Sequence, residues 1–494
     1  MIHVNPGLCM PADNAGNQPR TGTMRSVTGN LVFDPQIIRR FDVNGPRYTS
    51  YPTADRFVEA FGADASRLWL GKRNIGAISR QLSLYFHIPF CNTICYYCAC
   101  NKIITKDHGR SAKYLKYLAR ELALQSSHLE GGDQEVAQLH WGGGTPTFLS
   151  HDEMRQLMAA TRRHFTLVEG GEYSIEVDPR KVDQATVVLL GELGFNRMSV
   201  GVQDFDADVQ RAVNRLQSEE ETRAVIDAAR GSGFKSVSVD LIYGLPRQTV
   251  AGFGRTLERV IDASPDRVSI YNYAHLPSLF KPQRRILEKD MPSADTRLQI
   301  LSLAIQQMTA AGYVFIGMDH FAKPDDELAV AQRQGRLHRN FQGYSTHSDC
   351  DLLAFGISAI SKVGPTYCQN VKTLDEYYDL LDNGTLPVYR GIELNADDLL
   401  RRSIIQSLMC HFELSLESIE IAHLIDFRKY FATELDELRE MVDAGLVRVD
   451  DRWITVLPRI TVLPRGRMLV RAISMVFDRY LRADRQRTRY SKVI

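Results

Sequence analysis

Charge imbalance is missing from this chain. Sixty Lys and Arg residues stand against fifty-nine Asp and Glu, a formal net charge of +1 over 494 residues. That balance provides no field for nucleic acid and leaves only local basic pockets for a carboxylated ligand. Long apolar runs are missing too, since none approaches the roughly twenty residues that a membrane span needs. The segment Met1 to Asn30 has neither the apolar core of a secretory leader nor the arginine content of a transit peptide. A soluble, cytoplasmic protein with no nucleic-acid or membrane partner is therefore expected. Hydrophobic content of 44% and charged content of 24% suit a globular chain too long for one ordinary domain.

A second Cys/His pair is the next absence. Structural zinc usually draws two ligand pairs separated by a spacer, and none follows the one dense cysteine run, Cys91-Asn92-Thr93-Ile94-Cys95-Tyr96-Tyr97-Cys98-Ala99-Cys100. Four of the eight cysteines lie in this run. Cysteines this close rarely meet disulfide geometry together. Three thiolates spaced C-x3-C-x2-C can instead wrap one iron–sulfur cluster within a loop, leaving one iron open. A zinc knuckle and cysteines packed as small hydrophobes are the alternatives. The scattered Cys9, Cys350, Cys368 and Cys410 read as buried fillers, which fits a reducing compartment.

Met1 to about Asn30, rich in Asn, Gly, Pro and Thr, carries no period and reads as disordered. Leu31–Arg40 suggests a short helix before Arg47-Tyr48-Thr49-Ser50-Tyr51-Pro52-Thr53. From Gln81 onward, short β-rich runs alternate with amphipathic stretches. The predicted strands are Leu82–Ile88, Val136–Trp141, Tyr173–Val177, Arg197–Val202, Ser236–Tyr243 and Arg267–Tyr273. The predicted helices include Ala112–Leu129, Glu153–His164, Glu219–Arg230 and Phe253–Asp262. This alternation implies an α/β fold with a parallel sheet, a partial (β/α)6 barrel. Each strand ends on a polar residue or glycine: Tyr85 and His87, Gly142-Gly143-Gly144-Thr145, Glu176 and Asp178, Gln203 and Asp204, Asp240, then Tyr273-Ala274-His275. Functional side chains in barrels gather at those ends. Three consecutive glycines would let backbone groups approach a ligand without a Cβ in the way.

Beyond about Lys372 the pattern turns helical: Asp397–His411, Leu414–Ile421 and Phe431–Ala444. A hairpin is expected over Val447–Val462, then a basic helix over Gly466–Arg482. The expected organisation is a flexible extension (1–40), a catalytic domain (41–371) and a mainly helical C-terminal domain with a small β wing (372–494). One irregularity is Ile454-Thr455-Val456-Leu457-Pro458-Arg459, repeated at once as Ile460-Thr461-Val462-Leu463-Pro464-Arg465, which reads as a tandem duplication with one copy looped out.

C-x3-C-x2-C after a strand resembles the radical S-adenosylmethionine (SAM) enzymes. The longer pattern, His87-Ile88-Pro89-Phe90-Cys91 through Cys100-Asn101-Lys102, together with the Arg47–Thr53 segment, resembles the oxygen-independent coproporphyrinogen III oxidases. The resemblance extends to Met475-Val476-Phe477-Asp478-Arg479-Tyr480. It implies a [4Fe–4S] cluster on Cys91, Cys95 and Cys98; the glycine run and the polar strand ends argue for an open iron, so Cys100 is expected not to be a ligand. The resemblance also implies SAM lined by Tyr85, Gly143, Glu176 and Ile360, and a second SAM near Tyr97, Gly144, Thr145, Gln203, Arg215, Asp240 and Ala274. Phe341 and Gln342 match residues near the pocket, and catalytic roles fall to Tyr85, His87 and Gln342. The implied reaction uses a deoxyadenosyl radical to convert two propionates of coproporphyrinogen III to vinyl groups, with a flavodoxin or ferredoxin as electron donor to a monomeric enzyme. Alternatives in the same superfamily are a haem chaperone, which Cys100 and the Arg47–Thr53 segment disfavour, and a methyltransferase or haem-opening enzyme. Ala99 departs from a glycine common in such loops.

Overall fold

The computed structural model describes residues 31–73, 80–129, 134–347, 350–450 and 458–483. The expected disorder of Met1 to Asn30 lies outside these residues. The six expected strands are present: β1 (Leu82–Ile88), β2 (Glu135–Gly143), β3 (Thr166–Val177), β4 (Arg197–Gln203), β5 (Ser236–Tyr243) and β6 (Arg267–Asn272). They pair in chain order, each parallel to the next. Helices Gly109–Ser127, His151–His164, Gln184–Glu192, Glu219–Gly231, Val250–Ala263 and Ala294–Ala310 follow the strands in turn. Two of these helices start at capping boxes, Ser150 with Glu153 and Ser218 with Glu221. Each such box satisfies backbone N–H groups that a helix leaves unpaired at its start.

The period of two separates the strand faces. Leu139, Ile175, Val200, Val239 and Ile270 are buried in the apolar core. Their neighbours Gln138, His140, Ser174, Glu176, Ser199, Ser238, Asp240, Ser269 and Tyr271 line a polar interior cavity of about 180 Å³. Strands buried on both faces usually read as continuous apolar runs. The polar residues inside this barrel are thus the first sign that its interior is a working surface.

The sheet continues on both sides. β7 (Val314–Gly317) and β8 (His320–Ala322) extend it beyond β6, with β8 antiparallel to both neighbours. β9 (Asp351–Phe355) lies parallel to β1, followed by antiparallel β10 (Ile360–Val363), β11 (Thr366–Asn370) and β12 (Val388–Glu393). The full order is β12-β11-β10-β9-β1-β2-β3-β4-β5-β6-β8-β7. Its two edge strands do not pair with each other among the described residues, so the barrel is open. β12 lies past residue 372 and still belongs to this sheet. The helical region that follows begins with Ala396–His411 and carries a three-stranded wing. In the wing, β15 (Arg459–Val462) sits between β13 (Glu413–Ser415) and β14 (Val447–Asp450). Among the described residues, no helix is long and apolar enough to cross a membrane.

Two expected helices are broken. The stretch Phe431–Ala444 divides into Ala432–Glu437 and Arg439–Asp443 around buried Leu438. Gly466–Arg482 divides into Arg467–Leu469, Val470–Met475 and Arg479–Ala483. Asp478 explains the last break. Its carboxylate accepts from the N–H groups of Tyr480 and Leu481, starting a new helix, and from the Tyr48 hydroxyl at 3.0 Å. Tyr48 and Tyr51 are buried, and the Arg479 N–H donates to the Tyr51 hydroxyl. The Arg47–Thr53 segment is therefore packed between the barrel and the C-terminal helices.

Candidate active site

The cysteine run leaves the C-terminal end of β1 and is folded back at once. Phe90–Cys91 pairs with Ile103–Ile104, which closes the loop at its base. The Lys102 ammonium donates to the carbonyls of Cys98 and Cys100, at 3.0 and 3.3 Å. The Thr145 hydroxyl donates to Cys91 Sγ at 3.4 Å. Cys91, Cys95, Cys98 and Cys100 line one cavity of about 190 Å³.

The glycine run after β2 forms the facing wall. Gly144 N–H donates to Ile88 O, and Thr145 N–H to Phe90 O, so the run is held against the end of β1. Gly143 adopts φ +115°, and a Cβ there would lie 2.7 Å from the His87 ring. A Cβ on Gly144 would lie 2.7 Å from the Pro89 backbone. Both approaches are too close for any side chain. The glycines serve first to bring two strand ends together, and the cavity opens over their backbone.

His87 and Tyr85 stand behind that wall on the same face of β1, as their spacing of two predicts. The His87 Nε2–H donates to Asn101 O at 2.9 Å, because a carbonyl can only accept. Burial pushes the imidazole pKa down, keeping it neutral. Nδ1 is then the acceptor, and the Tyr85 hydroxyl donates to it at 3.1 Å. The Tyr85 ring stacks on His140, with centroids 5.8 Å apart. His140 Nε2 lies 3.4 Å from Glu176 Oε1, while Gly143 N–H donates to Glu176 Oε2 at 3.2 Å. Burial pushes the Glu176 carboxyl up, but these contacts outweigh it and hold it below its ordinary pKa. Asp240 behaves oppositely. Burial raises it to about 6 despite hydrogen bonds from Ser199 and Ser269.

Arg215 lies across the cavity from the glycines. It donates to Gly201 O at 2.6 Å and approaches Asp178 at 3.3 Å and Cys95 Sγ at 3.7 Å. Arg180 joins the same group, 2.6 Å from Asp178 and 3.9 Å from Cys95 Sγ. Burial pushes the Asp178 carboxyl up, yet the two guanidiniums outweigh it and hold it ionised. Two cations against one carboxylate leave positive charge beside the thiols.

Of the residues expected in the site, Tyr97, Gly143, Gly144, Thr145, Glu176, Gln203, Arg215 and Asp240 share this cavity with the three cysteines. Tyr85 and His87 are linked to it through Gly143 and Glu176. Ala274 is outside the wall, joined to Tyr97 through Gln283, whose amide donates to both carbonyls. Phe341 and Ile360 pack together in an apolar cluster with Phe57, Tyr367 and Leu394. Gln342 lines the interior cavity, and its buried Nε2 has no hydrogen-bond partner. Glu176, Ser199 and Asp240 border both cavities, which therefore adjoin. Sequence reasoning missed Arg180, Ser199 and Gln283. Arg180, two residues past Asp178 at the end of β3, carried a local signal; Gln283, in a loop with no motif, carried none.

Three thiols in one loop, a facing backbone without Cβ atoms and positive charge at Cys95 suit an anionic iron–sulfur cluster with a ligand beside it. Residues 85–260 match the family model of the Radical SAM superfamily, which implies a [4Fe–4S] cluster and SAM. The fold and the site together define a radical SAM enzyme. A relative from Pseudomonas aeruginosa, an oxygen-independent coproporphyrinogen III oxidase, is 53% identical over 467 residues, 94% of this chain and 99% of the relative. The Escherichia coli enzyme of that name is 47% identical over 464 residues, again 94% and 99%. The solved structure of coproporphyrinogen III oxidase from Escherichia coli, described as a radical SAM enzyme, superposes with a TM-score of 0.86 at 46% identity. That likeness covers 92% of this chain and 100% of the other. The chain belongs to the oxygen-independent coproporphyrinogen III oxidase family.

Proposed function

We propose that the enzyme converts two propionate side chains of coproporphyrinogen III to vinyl groups without oxygen, giving protoporphyrinogen IX. The observation that carries this reading is the convergence of three thiols, the glycine wall and the Glu176–Asp240 pair on one cavity at the C-terminal ends of five strands. Cys91, Cys95 and Cys98 would hold the cluster, with Cys100 left off it. With the cluster and SAM bound, the site would supply one-electron reductive cleavage of SAM, the radical chemistry needed to remove a β-hydrogen from a propionate. Loss of carbon dioxide, with one electron passing to an acceptor, would then leave the vinyl group, and two rounds would complete the reaction.

The chain's own residues bind and orient. Gly143 brings a backbone wall to the cluster side, and ionised Glu176 accepts hydrogen bonds from the reactive SAM, whose site Tyr85 and Ile360 complete. His87, neutral and fixed in one tautomer, braces Gly143. Tyr97, Gly144, Thr145, Gln203, Arg215 and Asp240 would surround a second SAM, with Ala274 bracing Tyr97 through Gln283. Arg215 pairs a carboxylate there, and Asp240 can accept from ribose hydroxyls. Gln342 and Phe341 border the substrate, with the unpartnered Gln342 amide free to donate to it. Burial in a cavity of this kind keeps water from a reactive radical. A low-potential carrier protein supplies the electron that starts each turnover.

Anaerobic incubation of reconstituted enzyme with SAM, a reductant and coproporphyrinogen III tests the proposal. Protoporphyrinogen with two vinyl groups is the expected product. Tight haem binding without porphyrinogen turnover would establish the chaperone reading instead, and S-adenosylhomocysteine among the products a methyl transfer.

A further inference from the structure

The loop after β6, residues 276–290, lines no part of the cavity, touches its wall through Gln283, and carries an excess of basic residues. Lys281, Arg284, Arg285 and Lys289 stand against Glu288 and Asp290, and Asp290 is already faced by Arg247 at 3.7 Å. Lys281, Arg284 and Lys289 are exposed and have no carboxylate partner among the described residues; Arg284 donates only to the Pro277 carbonyl. Large apolar side chains stand beside these cations: Leu279 is 67% exposed and Leu287 52%. Leu216, 61% exposed, follows Arg215, the residue 3.7 Å from Cys95 Sγ. Exposed large apolar side chains rimmed by charged ones mark a surface that a partner covers.

This loop is bolted to the cysteine run. Ile286 packs in a small core with Val209, Val213, Leu245 and Tyr273, and Tyr96 and Tyr97 close over that core. The Gln283 amide donates to the Tyr97 carbonyl at 3.0 Å. The Arg285 guanidinium lies 5.1 Å from the centre of the Tyr96 ring, directly after Cys95 in the chain. The basic, leucine-bearing surface is thus the outer side of the wall whose inner side holds the thiols.

We propose that residues 276–290 with Leu216 form the docking surface for an acidic one-electron carrier protein of the flavodoxin type. The inference rests on the functional reading above, in which each turnover begins with one electron from such a carrier. On docking, the reduced carrier loses one electron and is oxidised, and the cluster behind Tyr96 and Tyr97 gains it. Basic residues steer an acidic partner and set its encounter rate, whereas the leucines hold the complex once formed.

The test uses the full-length holoenzyme with an acidic flavodoxin as probe, and a Lys281→Glu/Arg284→Glu variant. Arg285 is left in place because it touches Tyr96. Binding is measured by calorimetry across a salt series, and flavodoxin-driven cluster reduction by stopped-flow absorbance. The expected result is affinity and reduction rate both lower by roughly tenfold or more in the variant, with the salt dependence flattened. Carbodiimide cross-links from the wild type are expected at Lys281 or Lys289. Reduction by dithionite, and dithionite-driven porphyrinogen turnover, are expected to be unchanged, so loss of turnover with both reductants would fall on the proposed reaction and not on this surface. Wild-type flavodoxin affinity and reduction rate in the variant, or cross-links confined to another face, would overturn the proposal. A Leu279→Ser/Leu287→Ser variant gives a second reading: faster dissociation with little change in association supports the surface, and unchanged dissociation counts against it.

Discussion

The Tyr85 hydroxyl donates to Nδ1 of His87 at 3.1 Å, while the other nitrogen of that ring donates to Asn101 in the loop after the cysteines. One imidazole therefore ties the end of β1 to the far end of the cysteine run, and it also fills the space that Gly143 leaves. The Asn101 carbonyl, which can only accept, selects the tautomer, and the Tyr85 hydroxyl donates to the nitrogen left without a proton.

Tyr85→Phe keeps the ring on His140 but removes the donor to His87. Losing one hydrogen bond of about 1 kcal/mol in a positioning chain should lower turnover roughly five- to tenfold. Cluster absorbance should be unchanged. Tyr85→Leu, which also loses the stack, should lower SAM cleavage further. Turnover and SAM cleavage at wild-type levels in both variants would remove Tyr85 from the site.

Cys91→Ser, Cys95→Ser and Cys98→Ser should each abolish cluster assembly, since a three-ligand site has none to spare. Cys100→Ser should assemble a cluster normally, because a fourth thiolate would close the iron that SAM needs. The check is iron content with electron paramagnetic resonance, with and without SAM. A cluster lost in Cys100→Ser, or a wild-type signal indifferent to SAM, would contradict the open-iron arrangement.

Glu121 is a buried carboxyl in the helix after β1. It accepts from Gly356 N–H, Tyr377, Asn370 and Gln125, and so holds the corner beside Tyr114, which donates to His87 O. Burial raises its pKa from 4.5 to about 7 despite those donors. Because the folded value is raised, its contribution to stability is full below about pH 4.5 and is lost as pH rises through about 7. Relative to Glu121→Gln, whose amide does not titrate, the wild type should lose about 2 to 3 kcal/mol between pH 5 and pH 8. Denaturant melts of both proteins at those two pH values would show it; parallel curves would mean that Glu121 is ionised throughout.

The second copy of the repeated hexapeptide supplies the central strand of the wing: Ile460 and Val462 in β15 are buried. Most of the first copy, on which the expected looping-out falls, lies outside the described residues. The copies are identical, so deleting either leaves the same sequence, with Ile454–Val456 free to take the place of Ile460–Val462. Six is even, so the same side chains face inward, and Asp450 and Trp453 would then be joined by a two-residue hairpin. The deletion variant should fold with a wild-type melting temperature and activity. A variant that aggregates or melts markedly earlier would show that the longer connection is needed.

The amino-acid sequence by itself determined the features that neighbouring residues dictate. The spacing of Cys91, Cys95 and Cys98, the glycine run and the alternation of strand and helix are local, and the structure keeps all three. Polar strand ends from Tyr85 to Asp240 could be placed at one mouth because a parallel barrel puts all its strand ends there. Nothing local says that Asp478 breaks a helix to receive Tyr48, or that Glu121 props the corner at Gly356. Those contacts join residues hundreds of positions apart, and each forms only because burial leaves a polar group no water to bond. The tertiary structure also decided that Arg180 and Arg215 share Asp178 beside Cys95, and that Gln283 ties Ala274 to Tyr97. Side chains on separate elements can meet only after the sheet has brought its strand ends together, and a one-dimensional pattern does not contain that distance.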